Sequence, residues 1–262
     1  MILKEKQRVG VRADSQRIVL ITGASRGIGA QTARILAGRG DHVVLNYREK
    51  RRRASILADS IAADGGSATP VGADLSDPGA AAAMIEEIRT RFGRLDVLIL
   101  NASGGLEHGA APDYAMAINR DAQVRLVRLA LPLMAPGARI VFVTSHQAHF
   151  HGRKPTPADY EPIARSKRAG EDALRAMIGE FDSLGIGFTV VSGDMIEGTI
   201  IVRLLERRDP DAVAARTEHG ALPTIDEFAT AIADTTTADT ESGHTVYVGG
   251  TDYLADAIDP AT

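Results

Sequence analysis

The sequence has no cysteine, and it has no apolar run long enough to cross a bilayer. Without cysteine the chain cannot form disulfides, thiolate metal ligands or a cysteine nucleophile. No apolar stretch approaches the roughly 20 residues that a membrane span requires. Residues 1–16 are polar and basic and carry no hydrophobic segment of a signal peptide. These features predict a cytoplasmic protein with no membrane partner.

The chain also lacks a strong charge of either sign. Its 30 basic and 34 acidic residues leave a formal net charge of −4, which gives no reason to expect a nucleic-acid surface. The 262 residues are enough for one large domain with a substantial core. We interpret residues 1–16 as an N-terminal extension, either a tail or a flap, and residues 17–262 as one folded domain.

Short apolar runs rich in β-branched residues alternate with longer segments of helical period. The predicted strands are 17–23, 41–47, 68–76, 95–103, 138–145, 186–193 and 244–250, and the long helices include 113–134 and 158–183. The strands lack polar alternation, so the sheet should be parallel and buried on both faces. The pattern predicts an α/β protein with a single-domain Rossmann fold, a doubly wound seven-stranded parallel sheet with helices on both faces.

The stretch TGASRGIG, residues 22–29, joins the first predicted strand to the first predicted helix. Gly23 permits a tight turn, Gly27 lets the backbone approach a pyrophosphate, and Gly29 allows close packing of helix and strand. The helix start offers free N–H groups and a positive dipole end to phosphates. A structural turn would also explain the glycines, but their place between strand and helix predicts a dinucleotide site.

The end of the second predicted strand distinguishes the two nicotinamide cofactors. An acid at this place would bind the adenosine ribose hydroxyls and repel a 2′-phosphate. The chain has Asn46, Tyr47 and Arg48 there, with no acid until Glu49. Arg26 in the glycine loop and Arg48 can neutralise a phosphate through charge-assisted hydrogen bonds. The sequence therefore predicts NADPH rather than NADH.

From residue 17 to about residue 250 the chain resembles the short-chain dehydrogenase/reductase family. The resemblance is carried by the spacing TGxxxGxG, by Asp74-Leu75, by NAS at 101–103, and by SK within ARSKRAG. It implies a catalytic set of Ser145, Lys167 and Asn119, with the asparagine holding a water near the lysine. It implies a cofactor site formed by Gly23, Ser25, Arg26, Gly27, Ile28, Gly29, Asn46, Tyr47, Arg48, Asp74, Leu75, Asn101, Ala102, Ser103, Lys167 and Thr199.

The chain departs from the family at the residue that donates the proton. The family has a tyrosine four residues before the lysine, and this chain has Ile163 there. Tyr160 lies seven residues before Lys167, and we expect it to pack or hydrogen-bond in the loop. Three explanations stay open: a proton from water or a loop residue, a proton from the substrate, or a silent dinucleotide-binding sensor or interaction module. We expect the substrate or water to supply it, because a phenol beside the carbonyl is already oriented.

The loop after Ser145 contains three histidines. We interpret His146, His149 and His151 as solvent-exposed or substrate-lining side chains, although their ordinary pKa would suit proton transfer. No third ligand has a recognisable zinc spacing, so no metal is predicted.

Within the family, the stretches TSHQAHF and YEPIARSKRAGE, with the absent tyrosine, are most similar to the atypical reductases of actinobacterial aromatic polyketide pathways. That resemblance implies an NADPH-dependent ketoreductase of antibiotic biosynthesis, acting on a ring carbonyl of a polycyclic, angucyclinone-type substrate. By analogy with the family we expect a homo-oligomer. The residues predicted to line the aromatic pocket are apolar: Met195, Ile196, Ile200 and Leu204.

Overall fold

The computed structural model describes residues 16–105, 111, 113–199, 202–203, 206–207, 210–218, 220–250 and 254. Of the predicted extension, residues 1–15 therefore lie outside the described residues, as do Ile200 and Leu204 of the predicted pocket. Seven strands form one sheet, and every neighbouring pair runs parallel in the order β3-β2-β1-β4-β5-β6-β7. The strands are β1 Ile18–Ile21, β2 His42–Tyr47, β3 Ser67–Gly72, β4 Val97–Leu100, β5 Arg139–Ser145, β6 Gly187–Gly193 and β7 His244–Val248.

Helices follow the strands along the described chain. They are α1 Gly27–Gly38, α2 Arg51–Ala63, α3 Pro78–Phe92, α4 Tyr114–Met116, α5 Ala122–Ala130, α6 His146–His149, α7 Glu161–Arg175, α8 Ile178–Ser183, α9 Pro210–Thr217 and α10 Ile225–Thr235. A π-helical turn at Ala117–Asp121 joins α4 to α5, and a 3-10 turn at Leu131–Leu133 follows α5. Among these described helices, none is both long and apolar enough to cross a membrane.

The sheet is buried on both faces, as the unbroken apolar runs predict. Successive side chains of a strand point to opposite faces. Leu20 and Leu98 belong to the core that contains residues of α3, α5 and α7, whereas Val19 and Val97 belong to the core shared with α1, α2 and α10. All four side chains are at most 1% exposed. The predicted doubly wound fold is confirmed.

Two of the predicted helices are divided in the structure. The helix predicted over 158–183 begins at Glu161 and breaks between α7 and α8. The Met177 N–H bonds to the Leu174 carbonyl three residues back instead of four, which tightens the chain and ends α7. The helix predicted over 113–134 is interrupted by the π-helical turn at Ala117–Asp121.

The strand order places the candidate site. Chain order runs outward from β1 to β3 on one side and from β4 to β7 on the other. In doubly wound sheets ligands bind outside the carboxyl ends of the strands at this switch point. The glycine loop follows β1, and residues 101–105 follow β4, so both lie at that place.

Candidate active site

The glycine loop has the geometry of a phosphate cradle. Gly23 and Gly27 have positive φ angles of 64° and 55°, which side chains other than glycine rarely adopt. A Cβ built on Gly27 would meet no atom within 4 Å, so the space beside it is open. A Cβ on Gly29 would lie 2.7 Å from Asn101 Nδ2, so α1 approaches the loop after β4 closely. The turn at Gly23 and the close approach at Gly29 agree with the roles that the spacing predicts, and the pyrophosphate at Gly27 stays a prediction.

Thr22 fastens the glycine loop to the loop after β4. Its hydroxyl donates to the Ile99 carbonyl at 3.2 Å and accepts the N–H groups of Asn101 and Ala102, each at 2.9 Å. The Asn101 side-chain amide donates back to the Thr22 carbonyl at 2.9 Å. Sequence reasoning missed Thr22, although its position directly before the first glycine was a signal.

Asn46 and Asp74, both predicted to bind the cofactor, support the loops at the carboxyl ends of the strands. Asn46 is 2% exposed, and its side chain accepts the Gly23 N–H and donates to the Ala73 carbonyl, both at 3.2 Å. The Asp74 carboxylate accepts the N–H and the hydroxyl of Ser76 at 2.9 and 2.6 Å. Both side chains therefore fix backbone around the crevice.

Two arginines lie at the ends of β1 and β2. Arg26 precedes α1 and is exposed. Arg48 follows β2, where its guanidinium donates to the Tyr114 hydroxyl at 2.6 Å and lies 3.4 Å from Glu49. Both arginines lie on the loops that follow these strands. The other predicted cofactor residues of this half of the sheet lie near the same carboxyl edge: Ser25 in the glycine loop, Ile28 in the first turn of α1, Tyr47 at the end of β2, Leu75 after β3, and Ala102 and Ser103 after β4.

Ser145 and Tyr160 meet at the carboxyl end of β5. Ser145 ends that strand and precedes α6, and its hydroxyl oxygen lies 3.2 Å from the Tyr160 hydroxyl. Tyr160 immediately precedes α7 and is 9% exposed. Sequence reasoning expected Tyr160 to pack or hydrogen-bond within its loop. The structure gives it the candidate catalytic serine as its partner.

Lys167 and Ile163 lie further along α7. Seven residues separate Tyr160 from Lys167, which corresponds to two helical turns and a rise of about 10 Å. Ile163 is 4% exposed and packs in a small cluster with Tyr160, Ala148 and Ala164. The position that normally carries the tyrosine is therefore filled by apolar packing.

Asn119 lies in the π-helical turn, and its side chain makes three hydrogen bonds. Its amide donates to the Gly104 carbonyl and to the Ser166 hydroxyl, each at 2.9 Å, and accepts the Gly104 N–H at 3.1 Å. A Cβ built on Gly170 would lie 2.1 Å from the Asn119 carbonyl oxygen. The π-helical turn and α7 therefore approach each other so closely that only glycine fits at position 170.

Thr199 lies in the segment after β6, where it was predicted to contact the cofactor. Its hydroxyl donates to the Ile196 carbonyl at 2.8 Å. That bond fixes the local turn. Met195 is half-buried and Ile196 is buried against the core.

His146 is buried, so the expectation of an exposed or substrate-lining side chain is wrong for it. It is 1% exposed, with Nδ1 2.8 Å from the Ser192 hydroxyl and Nε2 3.1 Å from the Gly249 carbonyl. Because a carbonyl can only accept, Nε2 carries a proton. Burial lowers the pKa of His146, although the Gly249 carbonyl opposes that shift.

His149 is also buried, at 7% exposed, and it joins three elements. Its Nδ1 lies 2.9 Å from the Glu171 carboxylate on α7, and its Nε2 lies 3.0 Å from the Tyr247 hydroxyl on β7. Glu171 is 0% exposed and accepts a hydrogen bond from Arg175 at 2.8 Å. Burial alone would raise the pKa of Glu171, but the bonds from His149 and Arg175 outweigh it and lower that pKa.

His151 differs from the other two histidines. It is partly exposed, and its Nε2 lies 3.2 Å from Glu161. In the part of the chain that the structure describes, no three His, Asp or Glu side chains are grouped as a metal site.

Curated relatives of the chain are reductases. A 1-cyclohexenylcarbonyl-CoA reductase of Streptomyces collinus is 32% identical over 191 residues, 71% of this chain and 66% of the relative. Versicolorin reductase 1 of Aspergillus parasiticus is 36% identical over 142 residues, 52% of this chain and 54% of the relative. The hydroxynaphthalene reductase arp2 of Aspergillus fumigatus is 32% identical over 65% of this chain and 63% of the relative. The chain spans about two thirds or less of each relative.

Solved structures share the fold over nearly their whole length. The angucycline C-6 ketoreductase LanV with bound NADP is 28% identical and matches with a TM-score of 0.76, covering 90% of this chain and 95% of LanV. A blue fluorescent protein from a metagenomic library, in complex with NADPH, is 26% identical with a TM-score of 0.77, covering 89% and 96%. The short chain dehydrogenase family model matches residues 17–210. With the glycine loop, the strand order and this match together, the chain belongs to the short-chain dehydrogenase family.

Proposed function

We propose that this protein is an NADPH-dependent ketoreductase that reduces a ring carbonyl of an aromatic, angucyclinone-type polyketide. The observation that carries the proposal is the pair of hydroxyls of Ser145 and Tyr160, 3.2 Å apart at the carboxyl end of β5. They lie at the same edge of the sheet as the glycine loop. The similarity to LanV and to the versicolorin and hydroxynaphthalene reductases supports a polycyclic substrate.

The residues present fit NADPH. Gly23 makes the tight turn, the space beside Gly27 is open for a pyrophosphate, and α1 begins at Gly27, where a helix start offers N–H groups to an anion. Arg26 and Arg48 supply the positive charge that a 2′-phosphate needs. When bound, the cofactor supplies the hydride that adds to the carbonyl carbon. We propose that Lys167 holds the nicotinamide ribose and that the predicted catalytic and cofactor residues act as assigned by the family motifs.

We propose that Tyr160 donates the proton that the carbonyl oxygen needs. Ile163 cannot donate one, and sequence reasoning therefore assigned the proton to the substrate or to water. The hydrogen bond of Tyr160 to Ser145 supports a different source, with Ser145 binding the carbonyl oxygen and the phenol delivering its proton there. The product is the alcohol, and the phenolate takes up a proton from solvent before the next turnover.

A phenol of the substrate itself is the second candidate donor. One observation favours it: Lys167 lies two turns from Tyr160, so its positive charge stabilises a phenolate there less than at the usual spacing. A phenol next to the reacting carbonyl would be oriented without help from the protein.

The test measures loss of NADPH absorbance with polycyclic hydroxyquinones and with matched ketones that lack the neighbouring phenol. We expect Tyr160→Phe to lower kcat about 10²- to 10⁴-fold on the ketones without the phenol. Thr144→Val is the matched control, because the buried Thr144 hydroxyl has no hydrogen-bond partner among the described residues. Thr144→Val should keep activity within about twofold, whereas Ser145→Ala should not.

The outcomes distinguish the candidate proton donors from one another and the reductase from a sensor. Full activity of Tyr160→Phe only on substrates with the phenol would assign the proton to the substrate. Full activity on both classes would exclude both donors and leave water or another loop residue. Tight NADPH binding without oxidation by any compound would favour the sensor. The cytoplasmic location, the homo-oligomer and the absence of nucleic-acid and membrane partners stay predictions.

A further inference from the structure

The Ser145 backbone ends β5 and is paired with Gly193 of β6, whereas α6 reaches the Ser145 hydroxyl, which accepts the Ala148 N–H at 3.4 Å. This helix has only four residues and begins directly after Ser145. A single turn cannot sustain itself, because too few internal hydrogen bonds repay the ordering of its backbone. Contacts with neighbouring elements must therefore set where α6 lies and, through the Ala148 N–H, how the candidate catalytic hydroxyl is oriented.

Two hydrogen bonds join α6 to α7, and both reach His149. The His149 Nδ1 lies 2.9 Å from the Glu171 carboxylate, and Nδ1 must carry the proton because a carboxylate only accepts. The Arg168 guanidinium donates to the His149 backbone carbonyl at 2.7 Å. We call His149, Arg168 and Glu171 the α6 clamp.

On α7, the Glu171 end of the clamp is held by Arg175. Glu171 is completely buried, and Arg175 donates to its carboxylate at 2.8 Å. The same guanidinium donates to the Gly243 carbonyl and to the Thr245 hydroxyl, both at 2.7 Å, next to and within β7. Because the Glu171 carboxylate is completely buried, a shift that removed its partners would leave its charge unpaired away from water, and this resists displacement.

The clamp sets the distance between two helices that begin next to the reacting groups. Ser145 precedes α6 and Tyr160 precedes α7, and their hydroxyls are 3.2 Å apart. A shift of α6 that displaced the Ser145 hydroxyl by about 1 Å would break that hydrogen bond. We propose that the α6 clamp is a set of positioning residues that holds Ser145 at hydrogen-bonding distance from Tyr160. This inference rests on the proposed function.

The first experiment compares Arg168→Met with Asp172→Asn. Arg168 also pairs with the exposed Asp172 at 2.5 Å, so the control removes that surface pair and keeps the bond to the His149 carbonyl. We expect kcat of Arg168→Met to fall by roughly tenfold or more, since misplacements near 1 Å cost up to about 10²-fold. Its Kd for NADPH should stay within about twofold of the wild-type value, and Asp172→Asn should change neither quantity by more than that.

A double-mutant cycle between Glu171→Gln and Ser145→Ala provides the second readout. If the clamp acts through Ser145, then Ser145→Ala should cost much less kcat in the Glu171→Gln background than in the wild type. Additive losses would overturn the proposal, because they would show that Glu171 supports the fold alone. If Glu171→Gln does not fold, the cycle is made with Arg168→Met, because the Arg168 side chain is 26% exposed and Glu171 is completely buried.

Hydrogen exchange of the backbone over 145–151 tests the clamp independently of catalysis. Arg168→Met should exchange faster there than Asp172→Asn, with little change elsewhere. Unchanged exchange together with unchanged kcat would refute the clamp. Faster exchange in a protein that reduces no ketone would refute the proposed function and leave the clamp standing.

Discussion

Replacing Gly170 by alanine tests the close contact between α7 and the π-helical turn. A Cβ at this position would lie 2.1 Å from the Asn119 carbonyl oxygen and 3.1 Å from its carbonyl carbon, whereas real Cβ atoms essentially never approach within 3.0 Å. The obstacle is backbone, and Asn119 is fixed by three hydrogen bonds of its side chain. The two helical segments must therefore separate by about 1 Å for alanine to fit.

The expected cost follows from two opposing terms. Overpacking of this kind typically costs about 1–3 kcal/mol, and a backbone obstacle belongs at the upper end of that range. Replacing a helical glycine by alanine returns up to about 1 kcal/mol of helix propensity. We expect Gly170→Ala to lower the free energy of unfolding by about 2 kcal/mol, which corresponds to a Tm lower by about 4–8 °C for a chain of this size.

The assay is thermal and urea unfolding followed by far-ultraviolet circular dichroism. Gly179→Ala is the matched control, since Gly179 lies within α8 and a Cβ there would meet nothing within 4 Å. That variant should be more stable than the wild type by about 0.5–1 kcal/mol. A Gly170→Ala protein that melts at or above the wild-type temperature would refute the close-contact reasoning.

Four further predictions concern single side chains. Ile163→Tyr should not raise turnover, because a tyrosine would have to replace a side chain that is 4% exposed in a packed cluster; a large gain in kcat would contradict this. Arg48→Ala should weaken binding of NADPH more than that of NADH in calorimetric titrations, and equal losses would exclude a phosphate contact. Asp77→Ala should lower stability by about 1 kcal/mol, because Asp77 accepts the Gly79 N–H at 2.7 Å at the start of α3, and urea unfolding checks it. Burial lowers the pKa of His146, so the stability that its neutral ring contributes is present above the unfolded pKa near 6.5 and is lost as pH falls through the folded pKa. His146→Gln should therefore flatten the dependence of Tm on pH between pH 7 and pH 5. An unchanged slope would contradict this prediction.

The sequence was sufficient for the sheet and the glycine loop because both depend on local patterns. Apolar runs such as residues 17–23 identify buried strands without knowledge of their partners, and the positive φ at Gly23 is a property of one residue. The points at which the helices divide depend on backbone hydrogen bonds, and the spacing of apolar residues does not reveal them. The π-helical turn at Ala117–Asp121 is an example, since its sequence reads as ordinary helix.

The long-range polar contacts of the site could not be predicted. His149 was expected to be exposed or to line the substrate, but it is buried against Glu171 and Tyr247. These partners are 22 and 98 residues away along the chain, so local patterns do not reveal them. The contact of Tyr160 with Ser145 likewise depends on the path of the intervening loop. Spacing along one helix, on which the sequence argument relied, does not determine contacts between elements.

Because Tyr160 lies just before α7, the direction of its phenol is not tied to its distance from Lys167, whereas the helical register fixes both for a tyrosine inside the helix. A side chain within the helix has its direction fixed by the helical register relative to Lys167. Tyr160 belongs to the loop that α6 and α7 bracket, so changes in that loop can turn or shift the phenol while the lysine stays in place. A search that identifies candidate proton donors by counting four residues back from the lysine would pass over this tyrosine. Comparison of hydroxyl positions in space would find it.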